Sequence, residues 1–295
     1  MNGRRAAFWS LFGLLILLSL AAVLELSGRC YYVTRRHLPW NMQPADFVFM
    51  YYPELTTEMA RYEPGAYNIL LLGGSSLHRE HTRVAEMLET QLEASLQHPV
   101  AVIDLAVPSH SSLDSDYKYR ELFGVHFDAV VVYDSINELR ANNAPDDVWR
   151  DDYSHYAWYD EINFYFGHPW LRRLPTVIPQ SLKQCEINIG RKLVRRNRYV
   201  PPHDPRPEWM AYGATVKTAR PFRRHLEDIA QLARERGEPV VFMTFAFCLP
   251  SHYSMEAYRA GALPYAKGPW GKEVELWGRP EYIVKGLRAQ LGGNS

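Results

Sequence analysis

Four short apolar runs, each ending in a polar loop, constrain the fold of this chain more than any other feature of the sequence. The first, residues 69–72, stops at Gly73 and Gly74, and two serines follow. An unbroken apolar run of this length is typical of a strand that is buried on both faces. The glycines predict a tight turn, and the apolar spacing of residues 84–92 predicts an amphipathic helix directly after it.

The same order recurs along the chain. Residues 99–106, 127–133 and 239–245 are three more runs of this kind, with helical spacing between them. A helix over residues 215–236, kinked at Pro221 and ended by a glycine, is predicted to precede the last run. Strands that alternate with helices and end in polar loops predict an α/β fold with a parallel sheet, whose functional edge lies at the carboxyl ends of the strands.

Residues 6–24 contain no charged side chain; Arg4 and Arg5 stand just before them and Arg29, Arg35 and Arg36 follow, so positive charge flanks both ends. At about 1.5 Å per residue this stretch nearly covers a hydrocarbon core of roughly 30 Å. A buried core helix is the alternative, but a core helix of this length normally shows a polar face. We therefore expect residues 1–27 to hold a single-pass, uncleaved signal anchor with a cytoplasmic N-terminus, and the rest of the chain to be periplasmic or at the cell surface.

Composition excludes some functional classes. The chain has 33 Lys plus Arg and 33 Asp plus Glu, a formal net charge of zero, and so lacks the overall basic character of a nucleic-acid-binding protein. Its three cysteines, Cys30, Cys185 and Cys248, match no metal-binding spacing, and unpaired buried thiols are favoured over one disulfide. We expect no metal and no organic cofactor.

Two kinds of segment interrupt the alternation. Residues 28–65, with four prolines and scattered aromatics, predict an irregular stem or packed lead-in to a domain that spans residues 66–295. Residues 142–212 are an aromatic-rich insertion, whose aromatics we expect to form a small core of their own rather than a binding surface. Its basic run at residues 191–198 is a solvated helix face by default, although anionic lipid or glycan is an alternative partner.

Ser75, the first serine after the glycine turn, has three interpretations. In the simplest, the glycines only make the turn and the serines only cap the following helix. A phosphate-binding loop is disfavoured, because the Lys-Ser/Thr of a P-loop and the third glycine of a dinucleotide fingerprint are both missing. In the third, Ser75 is a nucleophile, and its own N–H and the helix dipole stabilise an oxyanion. The turn alone does not decide among them.

Three short motifs follow the first three apolar runs: Gly-Gly-Ser at residues 73–75, Val-Pro-Ser at residues 107–109 and Ser-Ile-Asn-Glu at residues 135–138. Together they resemble the sequence blocks of the SGNH, or GDSL-like, hydrolase family. Residues 73–75, Gly-Gly-Ser, resemble the first block, with a glycine in place of the usual aspartate. Residues 107–109, Val-Pro-Ser, resemble the second block, which has a glycine where this chain has the serine. Residues 135–138, Ser-Ile-Asn-Glu, resemble the third block, Gly-x-Asn-Asp, and of its defining positions only Asn137 matches.

The resemblance implies a flavodoxin-like, three-layer α/β/α sheet and an esterase, deacetylase or acyltransferase that acts on acylated substrates. It makes Ser75 the nucleophile, and the backbone N–H groups of Ser75 and Ser109 and the side-chain amide of Asn137 the oxyanion donors. Three successive strand ends can bring such groups around one carbonyl oxygen. Ser109 serves only if its loop does not demand a glycine-only conformation. An envelope location favours acylated glycans or lipids.

The family's last block, Asp-x-x-His, which supplies the general base and its orienting acid, has no counterpart after the fourth apolar run. His78, His110 and His252 are candidate substitutes, although a lone loop histidine is more often a surface residue or a helix cap. We expect instead a C-terminally incomplete copy of a longer hydrolase, in which a further helix begins at Pro280. The alternatives are a non-catalytic protein that binds a glycan or protein partner, and a nucleotide-binding domain.

Overall fold

The computed structural model describes residues 2–134, 136–193, 198–200 and 216–244, with the isolated positions 256 and 260. They belong to two compact units: unit 1 is Met1–Pro53 with Ala157–Arg198, and unit 2 is Glu54–Tyr156 with Tyr199–Ser295. The helices are α1 (Asn2–Arg36), α2 (Phe47–Tyr51), α3 (Glu54–Thr57), α4 (Val84–Leu96), α5 (Ser112–Glu121), α6 (Ile136–Ala141), α7 (Ala157–Gly167), α8 (Ile178–Leu193) and α9 (Ala219–Arg236). The strands are β1 (Tyr67–Gly73), β2 (Val100–Asp104), β3 (Ala129–Tyr133) and β4 (Val240–Phe242).

Unit 2 contains a parallel four-stranded sheet in the order β2-β1-β3-β4. All four predicted strands are present, and this strand order is that of a flavodoxin-like, doubly wound sheet. The register places Gly73 opposite Tyr133 of β3, and Leu71 opposite Asp104 of β2. The predicted α/β fold class is therefore confirmed, and the carboxyl ends of β1, β2 and β3 lie at one edge.

Helices cover both faces of the sheet because successive side chains of its strands point to opposite sides. On one face, Ile69 and Leu71 of β1 form a buried cluster with Ala85 of α4 and Val102 of β2. Helix α5 packs against β1, and α9 packs against α5. The strongly apolar β1, buried over six of its seven residues, is the centre of this core.

Helix α9 begins at Ala219, so Pro221 lies in its first turn. A proline in the first turn removes no intrahelical hydrogen bond, and the predicted kink is therefore wrong. Gly237 ends the helix with φ of +69°, as the sequence predicted. Its N–H donates to the Arg234 carbonyl in the left-handed cap for which glycine is favoured.

Unit 1 contains α1, α2, α7 and α8. Residues Arg5–Arg36 of α1 form a helix that is long and apolar enough to span a membrane, with a stretch of mean hydropathy 2.4. The helix continues unbroken to Arg36, so residues 31–36, predicted as part of an irregular stem, are helical. Near its end Tyr32 is fully buried, with its ring centroid 4.6 Å from that of Phe47.

The aromatic residues of α7 belong to the core of unit 1. The Tyr165 ring centroid lies 6.5 Å from Phe47 and 5.4 Å from Tyr51, and the Arg172 guanidinium lies 4.2 Å from the Tyr165 centroid. The Tyr51 hydroxyl donates to Glu161 Oε1 at 3.3 Å. The insertion therefore shares one core with the segment that follows α1.

Cys30 and Cys185 are exposed free thiols, so the prediction of buried thiols is wrong for both. Cys248, His252 and the helix predicted from Pro280 lie outside the described residues.

Candidate functional site

Strand β1 ends at Gly73, and residues 74–77 make a tight turn in which the Leu77 N–H donates to the Gly74 carbonyl at 3.1 Å. A Cβ atom at Gly73 would lie 2.6 Å from the Tyr133 carbonyl oxygen, so the close approach of β1 and β3 requires a glycine there. The turn leaves Ser75 partly exposed at the carboxyl edge of the sheet. Among the described residues, none hydrogen-bonds to its hydroxyl.

The helix that follows does not begin at this turn. Helix α4 starts at Val84, with Arg83 at its N-cap position. The helix predicted over residues 84–92 is confirmed, but a loop separates it from the serines, so the two roles that required the helix to follow them directly are wrong, serine capping and a helix-dipole contribution at Ser75. The intervening loop is held by the Thr82 hydroxyl, which donates to the Leu77 carbonyl at 3.1 Å, and by Arg79 Nη2, which donates to the Val102 carbonyl at 3.1 Å.

Ser109 occupies a strained turn after β2. The His110 N–H donates to the Val107 carbonyl at 3.1 Å, Pro108 takes the second position, and Ser109 has φ of +73°. Proline at the second position with positive φ at the third defines a type II turn, whose third position favours glycine. Ser109 therefore adopts the left-handed conformation at a cost of about 1–2 kcal/mol.

Asn137 of α6 is the residue through which the three loops meet. Its Nδ2 donates to the His110 carbonyl at 2.6 Å. A Cβ atom at Gly74 would lie 2.5 Å from the same nitrogen. The structure thus brings together the residue before Ser75, the residue after Ser109 and the Asn137 amide. It also explains the glycine at position 74, because an aspartate side chain there would collide with Asn137.

Two buried charges support the His110 side of this site. Lys118 of α5, fully buried, donates to the Leu105 carbonyl at 2.7 Å and lies 2.7 Å from Glu54 Oε1. The same carboxylate oxygen lies 3.7 Å from His110 Nδ1. Burial, reinforced by Lys118 and His78, lowers the pKa of His110 well below its usual value. His110 is therefore a neutral imidazole at pH 7, which is the form that can accept a proton.

A cavity of about 330 Å³ opens beside these loops. Its polar lining includes Glu54, Glu58, His78, Arg79 and Asp104. Val107 is one of the lining residues, and its N–H donates to the Gly73 carbonyl at 3.1 Å. The cavity therefore lies next to the serine turn.

A buried polar cluster lies at the start of α5, and the sequence patterns did not reveal it. Ser112 Oγ lies 2.9 Å from His225 Nδ1, and the Ser112 N–H donates to Glu138 Oε1 at 2.7 Å. The Tyr153 hydroxyl donates to the other oxygen of Glu138. Ser112 and His225 are 0% and 2% exposed, so this serine–histidine pair ties α5, α6 and α9 together away from solvent. Burial lowers the pKa of His225 to about 3 and raises that of Glu138.

Asp134 follows β3 directly and is 6% exposed. Burial raises its pKa to about 7, the Ser115 hydroxyl opposes the shift, and the Glu138 charge adds to it. The Asp134 carboxyl group, between β3 and α6, is therefore largely protonated below neutral pH. Of the residues in the buried polar cluster, the sequence analysis had singled out Glu138 alone, at a position where the resembled family has an aspartate.

Comparison with known proteins adds little to this geometry. No family model matches the chain, and no curated protein matches it. The crystal structure of a psychrotrophic esterase, EstA, from Pseudoalteromonas sp., inhibited by monoethylphosphonate, is similar at a TM-score of 0.24 and 11% identity, over 76% of this chain and 98% of that chain. A similarity at this level carries no argument about fold or function, so the site stands on its own contacts.

Proposed function

We propose that this protein is a membrane-anchored serine ester hydrolase or acyltransferase of the SGNH type, with Ser75 as its nucleophile. The observation that carries the proposal is the meeting of three loops at one edge of a flavodoxin-like sheet, where Gly74 contacts the Asn137 amide and that amide donates to the His110 carbonyl. Open parallel sheets bind their ligands at this edge.

In the proposed reaction, the Ser75 hydroxyl attacks the carbonyl carbon of an ester and the carbonyl oxygen becomes an oxyanion. The backbone N–H groups of Ser75 and Ser109 and one N–H of Asn137 are the donors that stabilise it. The other N–H of Asn137 is fixed by the His110 carbonyl, and this orients the amide. The Ser75 proton passes to the general base during the attack; the oxyanion then collapses, the ester C–O bond breaks, and the alcohol leaves with that proton. The acyl group on Ser75 finally passes to water in hydrolysis, or to a second alcohol in transfer, and Ser75 regains its proton.

We assign the general base to His110, because its Nδ1 lies 3.7 Å from Glu54 Oε1, a carboxylate that can orient the ring. Burial lowers the pKa of His110, which makes it a weak base, so this assignment rests on its position beside the loops and not on its basicity. Its loop also carries Ser109, so a shift of this loop changes the base and the oxyanion site together.

The substrate class follows from the anchor. Helix α1 is long and apolar enough to hold the protein in a bilayer, and Arg4 and Arg5 before its apolar stretch favour a cytoplasmic N-terminus. The site would then lie outside the cytoplasm. We infer acylated glycans or lipids of the cell envelope as substrates, because tethering raises the local concentration of targets on the same surface.

A fluorophosphonate probe tests the nucleophile in the full chain, purified in detergent. We expect covalent labelling that Ser75→Ala abolishes and Ser76→Ala retains, since Ser76 shares the turn but has no assigned role. Labelling that survives in Ser75→Ala would refute the site. The folded state of each variant is checked by circular dichroism, so that a lost label is not confused with unfolding.

A non-catalytic binding protein is the second candidate. Two observations favour it: no described residue hydrogen-bonds to the Ser75 hydroxyl, and unit 1 exposes large aromatic side chains, with Trp40 51% and Trp170 58% exposed. Such side chains can stack on sugar rings or pack against a partner. A folded wild type that never labels, yet whose tryptophan fluorescence changes on titration with an envelope glycan, would establish this function instead.

A further inference from the structure

The cavity beside the serine turn has an unusual charge balance. It is enclosed by α3, the loop after the turn, and the carboxyl end of β2, and its lining carries four carboxylates, Glu54, Glu58, Glu80 and Asp104, against one guanidinium, Arg79. Glu54 is already matched by the buried Lys118 at 2.7 Å. The remaining lining is therefore anionic, which favours a cationic ligand.

Asp104 provides an independent indication of a ligand. It is 4% exposed, and its Oδ1 accepts the Ala106 N–H at 3.0 Å, whereas its Oδ2 is buried with no hydrogen-bond partner. Buried carboxylate oxygens without a donor are rare, because each lost hydrogen bond to water costs free energy. Oδ2 belongs to a residue that lines the cavity, and a ligand there can supply the missing donor.

The described residues around the cavity do not supply that donor. Arg79 Nη2 donates to the Val102 carbonyl at 3.1 Å, and its Nε lies 3.9 Å from Glu58 Oε2, beyond hydrogen-bonding distance. Glu58 Oε2 is buried and forms an ion pair with Arg61 Nε at 3.2 Å, so Asp104 Oδ2 is the acceptor that lacks a partner, and Glu58 is a second carboxylate beside it. Two acceptors on separate elements therefore line the same cavity.

We propose that this cavity binds the primary ammonium group of a small organic amine, with Asp104 Oδ2 and Glu58 Oε2 as its acceptors. An ammonium group brings three donors and one positive charge, which match these two carboxylates. A volume of about 330 Å³ is at the lower end of small-molecule sites and exceeds what a bare metal ion needs. Within the described part of the chain, no set of His, Cys, Asp and Glu side chains has the geometry of a metal site.

The inference does not rest on the proposed activity of Ser75. The amine site and the serine site are related only by position, because the N–H of Val107 in the cavity wall donates to the carbonyl of Gly73 at the end of β1.

Calorimetric titration of the full chain in detergent tests the proposal with two matched pairs of probes. 2-Aminoethanol is compared with ethylene glycol, and glucosamine with N-acetylglucosamine, so that each pair differs in its ammonium group. We expect saturable binding of the amines and none of the neutral compounds. Asp104→Asn and Glu58→Gln should each weaken amine binding about tenfold or more, because each replaces a charged acceptor. Glu86→Gln, an exposed carboxylate on α4, is the control and should bind as wild type does.

Equal binding of amine and neutral compound, or amine binding unaffected by both substitutions, would overturn the inference, and so would the absence of any amine binding. If Asp104→Asn does not fold, Glu58→Gln decides alone, since that side chain lies nearer the surface. The titration is repeated in Ser75→Ala, where unchanged amine binding is expected. Failure of serine labelling with amine binding intact counts against the proposed function only.

Discussion

The contact between Gly74 and Asn137 leads to the sharpest prediction. A Cβ atom at Gly74 would lie 2.5 Å from Asn137 Nδ2, whereas ordinary contacts are 3.4–4 Å. In Gly74→Ala the amide must therefore retreat by about 1 Å and lose its 2.6 Å bond to the His110 carbonyl. The backbone itself accepts alanine, because φ of Gly74 is not positive.

The two consequences differ in size. Loss of one partly buried hydrogen bond costs about 1 kcal/mol, and the lower unfolded-state entropy of alanine returns about 0.4–1 kcal/mol. Gly74→Ala should therefore change the free energy of unfolding by less than about 1 kcal/mol. If Asn137 is an oxyanion donor, its displacement should slow fluorophosphonate labelling about 10²–10³-fold.

Gly73→Ala is the matched contrast. Its Cβ would lie 2.6 Å from the Tyr133 carbonyl oxygen, a backbone atom of β3 that cannot rotate away. We expect this variant to lose about 1–3 kcal/mol of unfolding free energy, as overpacked cores do. Urea unfolding followed by circular dichroism, with labelling rates measured on the folded protein, separates the two glycines.

A double-mutant cycle supplies the refutation. In an Asn137→Ala background, Gly74→Ala should cause no further loss of labelling, because the group it displaces is already absent. If the reductions in labelling rate caused by the two substitutions multiply in the double variant, Gly74→Ala does not act through Asn137. A single Gly74→Ala variant that labels at the wild-type rate would contradict either the displacement of the amide or its role in the site.

Three further predictions concern stability. Ser109→Gly should raise the free energy of unfolding by about 0.5–1 kcal/mol by relieving the φ of +73°, whereas Ser109→Ala should not; equal urea midpoints would contradict this. Lys118→Met should lower it by about 3–5 kcal/mol, because Glu54 then lacks its buried cation, and adding Glu54→Gln should recover most of that loss. The pKa of Asp134 is about 7 in the folded protein, against an ordinary value of 3.8, so the native form retains a proton that the unfolded chain releases. The contribution of Asp134 to stability is present below about pH 4 and is lost as the pH rises through 7. The free energy of unfolding of Asp134→Asn should therefore rise relative to that of wild type between pH 4 and 8. A difference that stays constant with pH would refute the assignment.

The elements that the sequence predicted well are those whose burial is recorded in local composition. Strand β1 is buried over six of its seven residues, and its unbroken apolar run carries that information without reference to the rest of the chain. The same holds for Gly237, whose left-handed conformation ends α9. The apolar stretch of α1 was equally visible.

Predictions failed where long-range contacts decide local structure. The helix predicted from Val84 is present, but the expected continuity between the serines and this helix is absent, because Arg79 donates to Val102, 23 residues further on, and Thr82 donates to Leu77. These contacts hold an irregular loop between the serines and α4. The predicted kink at Pro221 failed for a related reason, because the true start of α9 lies only two residues before it.

Sequence alone determined that this chain forms a parallel α/β sheet with a long apolar helix at its N-terminus, because apolar runs and their spacing specify which segments are buried. Only the tertiary structure decided which side chains meet. The contact of Gly74 with Asn137 depends on the register of β1 and β3, and the pairing of Ser112 with His225 joins residues 113 positions apart. The unpartnered oxygen of Asp104 became visible only once β2 and its cavity were in place, because hydrogen-bond satisfaction is a property of the packed chain and not of its residues.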